Sequence, residues 1–193
     1  LDRQLTVLSG GPRDAPPRHH SMRDAIAWSH DLLAEPECVL FRRLAVFVGG
    51  FTVEAAEAVA ASRGVEESSS REEDAYSSTP LDSLTALLDA GLLRRTEPAG
   101  EDARLGMLEP VRELAAELLA ASVDEPAERD AHAAYYLDLA EAAEPFLLTP
   151  EQPRWFGRLV ADLANLDAAL DRFRETGNTL AALRLAGALG LLW

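Results

Sequence analysis

Between Thr79 and Leu119 the spacing of apolar residues changes its period twice, and this limits the fold more than any other feature of the chain. Leu81, Leu84, Leu87 and Leu88 recur at helical spacing behind Thr79-Pro80, a cap followed by a first-turn proline, and Gly91 stops the pattern. Two short runs follow, LLRRTE and ARLGML, on either side of the turn-rich segment EPAGED. A break of that length joins two antiparallel strands, although Gly106 weakens the second. From Pro110 the helical period returns, with Val111, Leu114, Ala115, Leu118 and Leu119 at i, i+3, i+4, i+7 and i+8. A hairpin set between two amphipathic helices excludes a pure bundle and an all-β fold alike.

Upstream, Ser21 can cap a helix predicted over 22–33, with Met22, Ala25, Ile26 and Leu33 near helical spacing. Pro36 sits where a first-turn proline is tolerated, and the stripe Leu40, Leu44, Phe47, Val48 predicts a second helix over 36–48, ended by Gly49-Gly50. Thr52 is placed to cap a short third helix, TVEAAEAVAAS, with Glu54 complementing its dipole. Residues 62–79 lose the periodicity and gain Ser and Glu, the composition of a surface loop. Beyond Asp124-Glu125-Pro126 the pattern is purely helical: about 127–143, about 151–175 and from about 179 onward, with Gly177-Asn178 turning between the last two. The expected fold is therefore mainly α. A winged-helix domain, made of helices plus a two-stranded wing, precedes an α-helical hairpin of the kind that starts a helical array.

The basic residues are all Arg, 18 against 33 acids, and the net charge of −15 is shared by both halves of the chain. Neither half would be drawn to phosphate by its overall field, which argues against nucleic acid and anionic membranes as partners. The lone Cys38 excludes an internal disulfide and fits a reducing compartment. With no signal peptide and no apolar span of about 20 residues, the expected location is the cytoplasm. An opening without Met and a close inside a helical pattern suggest a piece of a longer polypeptide.

Several separated blocks then agree with one family. RHHSMRDAIAWSHDLL, ECVLFRRLAVFVGGFTVEAAEAVA, SLTALLDAGLLRR, RLGMLEPVRELAAELL, AHAAYYLDLAEAAEP and NLDAALDRFRETGNTLAALRLAGAL occur in an order that resembles one continuous stretch of the bacterial STAND-type signalling ATPases, transcriptional regulators of the SARP and LuxR kinds. The resemblance implies a linker over 1–20 from a nucleotide-binding core, a winged-helix domain over 21–123, and the start of a tetratricopeptide-like array over 124–193. The family's phosphate-binding loop, G-x-x-x-x-G-K-[ST], is absent from a chain with no Lys. ATP or ADP is thus implied for a larger protein and no cofactor for this segment, which is expected to be non-catalytic. Its implied partners are a neighbouring nucleotide-binding domain of the same polypeptide and a protein or ligand signal received on the array.

In related switches of the AP-ATPase type the strand-to-helix step reads Met-His-Asp, with the His on the diphosphate of ADP. The matching triplet here is Met107-Leu108-Glu109, a candidate nucleotide-sensing corner in which leucine can donate no hydrogen bond. The simpler expectation has Met107 and Leu108 packing the base of the wing while Glu109 favours the helix N-terminus.

Arg13, Asp14 and Arg18 in the linker are candidates for interdomain ion pairs. Arg94, Arg95 and Arg104 on the wing would be the phosphate contacts if the domain bound DNA. That alternative, a DNA-binding winged helix with a helical dimerisation tail, is weakened by PLDSLTALLDAG, which offers two acids and no Arg where a recognition helix would lie. Arg42 and Arg43 read as the wet face of the second helix. His19, His20 and His30 lack partners at metal-ligand spacing, so no metal is expected, and no catalytic cluster is recognisable. Trp155, Phe156, Leu159, Leu163, Leu166 and Leu170 form an extended apolar face, and the last helix, with Trp193, is expected to promote self-association.

Overall fold

A computed structural model describes residues 22–61, 79–96 and 103–191. The linker 1–20 with Arg13, Asp14, Arg18, His19 and His20, the loop from 62 to 78, the hairpin turn at 97–102 and Trp193 lie outside the described residues.

The expected order of elements is present. Helices α1 (Met22–Asp31), α2 (Glu35–Arg43) and α3 (Val53–Ala61) precede α4 (Pro80–Asp89), strands β2 (Arg94–Thr96) and β3 (Arg104–Gly106), and α5 (Glu109–Ala120). Thr79 caps α4 reciprocally: its hydroxyl accepts from the Asp82 N–H at 3.2 Å, and the Asp82 carboxylate accepts from the Thr79 N–H at 3.0 Å. Gly91, at φ +70°, ends that helix in a conformation glycine adopts without strain.

The wing has three strands rather than two. Phe51–Thr52 forms β1 and pairs antiparallel with β3, giving the order β1-β3-β2 with Phe51 opposite Leu105 and Arg95 opposite Leu105 on the other side. A two-residue strand carries no periodic signal, so only its partner reveals it. The second helix also stops early: after Arg43 the chain tightens into a 3-10 turn, Leu44–Val46, and Phe47 is extended at φ −77°, ψ 140°. The predicted end at 48 therefore fails, and Val48 is exposed rather than part of a buried stripe.

The helical segment comprises α6 (Glu125–Ala143), a 3-10 turn (Glu144–Phe146), α7 (Gln152–Ala161), α8 (Leu163–Glu175) and α9 (Thr179–Ala188). The single helix expected over 151–175 is thus two, broken at Asp162. Among the described residues the architecture is mainly helical with one small antiparallel sheet, a winged-helix arrangement followed by a helical segment.

One core runs through both parts. Phe41, Phe51 and Leu87 are buried in the winged-helix part, Leu159, Leu166 and Leu185 in the helical segment. Each such side chain contributes about 1.5–3 kcal/mol of burial. The long helix α6 joins the two, packing against α3 on one side and against α8 and α9 on the other. Of the apolar face expected over 155–170, Leu159 and Leu166 are buried while Phe156 and Leu163 remain exposed, and on α9 Leu180 and Leu183 are exposed as well. No helix of the described residues is long and apolar enough to cross a membrane.

Candidate functional site

Where the wing meets the helical segment, the core contains charges. Arg104, on the central strand β3, is 5% exposed, and Asp162, at the break between α7 and α8, is 2% exposed. The guanidinium grips the carboxylate with both arms: Nη2 donates to Oδ1 at 2.7 Å and Nη1 to Oδ2 at 3.0 Å. Nη2 also donates to the carbonyls of Gly50 at 3.1 Å and Ala161 at 3.2 Å. Asp162 does not cap α8 with its side chain. Its φ of −104° and ψ of 13° interrupt the helix, and the carboxylate faces the wing instead.

Three further side chains complete the cluster. The Tyr136 hydroxyl donates to Asp162 Oδ1 at 3.2 Å. The Asn165 amide donates from Nδ2 to the same oxygen at 3.1 Å and to the Gly50 carbonyl at 2.8 Å. Asn165 Oδ1 accepts from the Val48 N–H at 2.7 Å and lies 3.3 Å from His132 Nε2. Because Nδ2 is committed to donating, Oδ1 must accept, and His132 therefore carries its proton on Nε2. Burial holds the imidazole pKa down at about 4, against the smaller raising effects of Asn165 and the Asp162 charge, so the ring is neutral at pH 7. Burial likewise pushes the Tyr136 phenol far above its ordinary range, with the Asp162 charge adding to the effect.

Gly50 makes this junction sterically possible. Its φ is +123°, and a Cβ there would stand 3.0 Å from the Leu105 carbonyl oxygen. Phe47 stacks on Phe51 with ring centroids 4.5 Å apart and lies edge-on to His132 at 5.2 Å, shielding the polar cluster from water.

A second set of charges crosses the same seam. Arg43 Nε lies 2.9 Å from Oε1 of the fully buried Glu128, near enough to pair as charges although the N–H is not aimed at the oxygen, and Nη1 donates to the Ala60 carbonyl at 3.1 Å. Arg42 approaches Asp124 at 3.8 Å. Arg158 of α7 pairs with Glu54 of α3. The expectation that Arg42 and Arg43 form a wet face is corrected: Asp124, just before α6, and Glu128 within it lie against them.

The sequence-derived site residues separate in space. Arg94 and Arg95 are exposed on β2, as a phosphate contact would need. Arg104 is not, because the central strand points it inward to Asp162; as a solvated or phosphate-facing wing residue it is corrected. Met107 packs half-buried against the core, Leu108 is 48% exposed, and Glu109 accepts from Arg112 at 2.7 and 3.1 Å, which lowers the Glu109 pKa. Met107 and Glu109, but not Leu108, border a 250 Å³ hollow shared by Arg94, Arg112, Gly49 and Gly50. His30 lies against Phe41, with ring centroids 5.3 Å apart.

Asp162, Asn165, Tyr136 and His132 were not singled out by sequence. One signal exists: Leu159, Asp162, Leu166, Ala169 and Phe173 fall at i, i+3, i+7, i+10 and i+14, so Asp162 is a lone acid within a buried apolar stripe.

Comparison with known proteins agrees with an extended relationship. Over its whole length the chain is similar to proteins named "Putative HTH-type transcriptional regulator" in Mycobacterium tuberculosis (strain ATCC 25618 / H37Rv) and in Mycobacterium bovis (strain ATCC BAA-935 / AF2122/97), with 39% identity over 199 aligned residues in each case. The chain spans only 20% of the length of those relatives. A shorter similarity, 38% over 61 residues, covers 32% of this chain and 16% of an uncharacterized protein of Mycobacterium tuberculosis. No family model matches the chain, and no solved structure matches it.

Proposed function

We propose that the chain is a non-catalytic regulatory segment of a STAND-class, ATP-dependent transcriptional regulator. A winged helix over 21–123 and the start of a tetratricopeptide-like array over 124–193 pass nucleotide state and sensor input onward by changes in docking. The similarity to regulators about five times as long supports a place within a larger protein. The observation that carries the reading is the buried clasp of Arg104, Asp162, Tyr136 and Asn165. A charge pair so removed from water is costly to part, so wing and helical segment move together as one lever.

The surface whose docking changes then lies elsewhere, on the corner Met107-Leu108-Glu109 that would face the nucleotide-binding domain. Leu108 has no donor to offer a diphosphate, so contact there would fall to Arg94 or Arg112 across the adjoining hollow. ATP and ADP belong, on this reading, to the neighbouring domain. The exposed apolar residues Leu180 and Leu183 of α9 would favour self-association of the isolated chain.

The exposure of Arg94 and Arg95 favours a second reading, direct DNA binding through the wing, while Asp82 and Asp89, exposed on α4, weigh against it. Fluorescence anisotropy with a short random-sequence duplex separates the two. Absence of retention at low salt supports the regulatory segment; retention that falls steeply as salt rises supports the DNA binder.

A further inference from the structure

Strand β2 is an edge of the sheet: it pairs with β3 on one side, and no strand flanks its other side among the described residues. Such an edge presents outward-facing backbone N–H and C=O groups, a template for one more strand. Arg94 and Arg95 upon it are both exposed, so the edge is reachable from solvent.

The side chains specify what kind of strand fits. Alternation puts Arg94 and Thr96 on one face, over the 250 Å³ hollow, and Arg95 on the other. The hollow has an apolar wall of Leu44, Phe47 and Phe51, and its charged lining is Arg94, Arg112 and Glu109. Two positive charges against one negative leave it net positive, in a chain whose net charge is −15. Neither Arg94 nor Arg95 makes an ion pair among the described residues, whereas Arg23, Arg104, Arg158 and Arg184 each hold an acid. A second copy of the chain fits poorly, because β2 paired with itself would set arginine beside arginine, and like charges directly opposite destabilise a ladder. A strand with acids at two successive positions fits well. One carboxylate would lie beside Arg94 on the hollow face and the next beside Arg95 on the other.

We propose that the open edge of β2 takes up an extended acidic peptide as a further strand, its backbone bonded to β2 and its successive carboxylates paired with Arg94 and Arg95. This goes beyond the regulatory reading and does not rest on it.

The test is fluorescence anisotropy of a labelled peptide, Val-Thr-Val-Glu-Glu-Val-Thr-Val, titrated with the intact chain at about 0.15 M salt, where attraction between exposed charges is largely screened. Saturable binding is expected, and lysine in place of both glutamates should abolish it. Proline in place of both inner valines keeps the charge but removes ladder donors on either side, and should weaken binding at least about tenfold. Arg94→Glu together with Arg95→Glu should abolish binding of the acidic peptide and confer binding of the lysine peptide; both side chains are exposed, so folding is spared. Arg174→Glu, exposed elsewhere, should change nothing. Binding indifferent to the prolines, which marks bare charge attraction, would overturn the proposal. So would retention of the acidic peptide by the doubly altered chain, or capture of a random-sequence duplex with no uptake of the peptide.

Discussion

Replacing Asp162 by Ala tests the physical core of the seam. The substitution takes the carboxylate from the Arg104 guanidinium at 5% exposure, while its bonds to the carbonyls of Gly50 and Ala161 remain. Tyr136 and Asn165 each lose one acceptor as well, although Asn165 keeps Gly50. Removing one member of a buried pair leaves an uncompensated charge, and the expected cost is about 3–5 kcal/mol. For a chain of 193 residues this lowers the melting temperature by roughly 6–20 °C. Asp162→Asn keeps the shape but not the charge, so it should retain most of the loss.

The double variant Arg104→Met with Asp162→Leu removes both charges and should recover a large part of the stability, giving a strongly non-additive double-mutant cycle in urea unfolding. Arg174→Ala supplies the contrast: its partner Asp171 lies at 3.3 Å, both side chains are exposed, and the change should be about 0–1 kcal/mol. A cost below about 1 kcal/mol for Asp162→Ala, or simple additivity in the cycle, would refute the idea that buried charge holds wing and helices together.

Two further outcomes follow from the same cluster. His132 is held near pKa 4 when folded, against 6.5 for an unperturbed side chain, so below pH 6.5 the unfolded chain binds a proton that the folded one refuses. Stability should therefore fall as pH drops from about 6.5 to about 4, by on the order of 3 kcal/mol. His132→Gln, which keeps a donor for Asn165, should flatten that part of the profile in urea melts; an unchanged slope would exclude His132 as its source. Gly50→Ala places a Cβ 3.0 Å from the Leu105 carbonyl at a positive φ, and should cost more than about 1 kcal/mol by thermal unfolding.

Much of this protein is written locally. The cap at Thr79, the proline behind Leu108, the stop at Gly91 and the apolar stripes of α4 and α5 each act within a few residues, so the sequence alone determines that these helices form, in this order, around a hairpin. Local chemistry also placed Glu109 at the start of α5 and left Arg94 and Arg95 on the surface. What it did not determine is which side chains meet. Arg104 and Asp162 lie 58 positions apart, and Val48 and Asn165 lie 117 apart. Taken as a pattern, Arg104 is one more wing arginine and Asp162 one more helix acid; only the approach of β3 to the break between α7 and α8 turns them into a pair. The same tertiary demand halted α2 at Arg43, split the helix at Asp162 and recruited Phe51–Thr52 as a third strand. Periodicity reports how a segment meets an averaged core, whereas the desolvation of a particular charge depends on the one partner that reaches it through space.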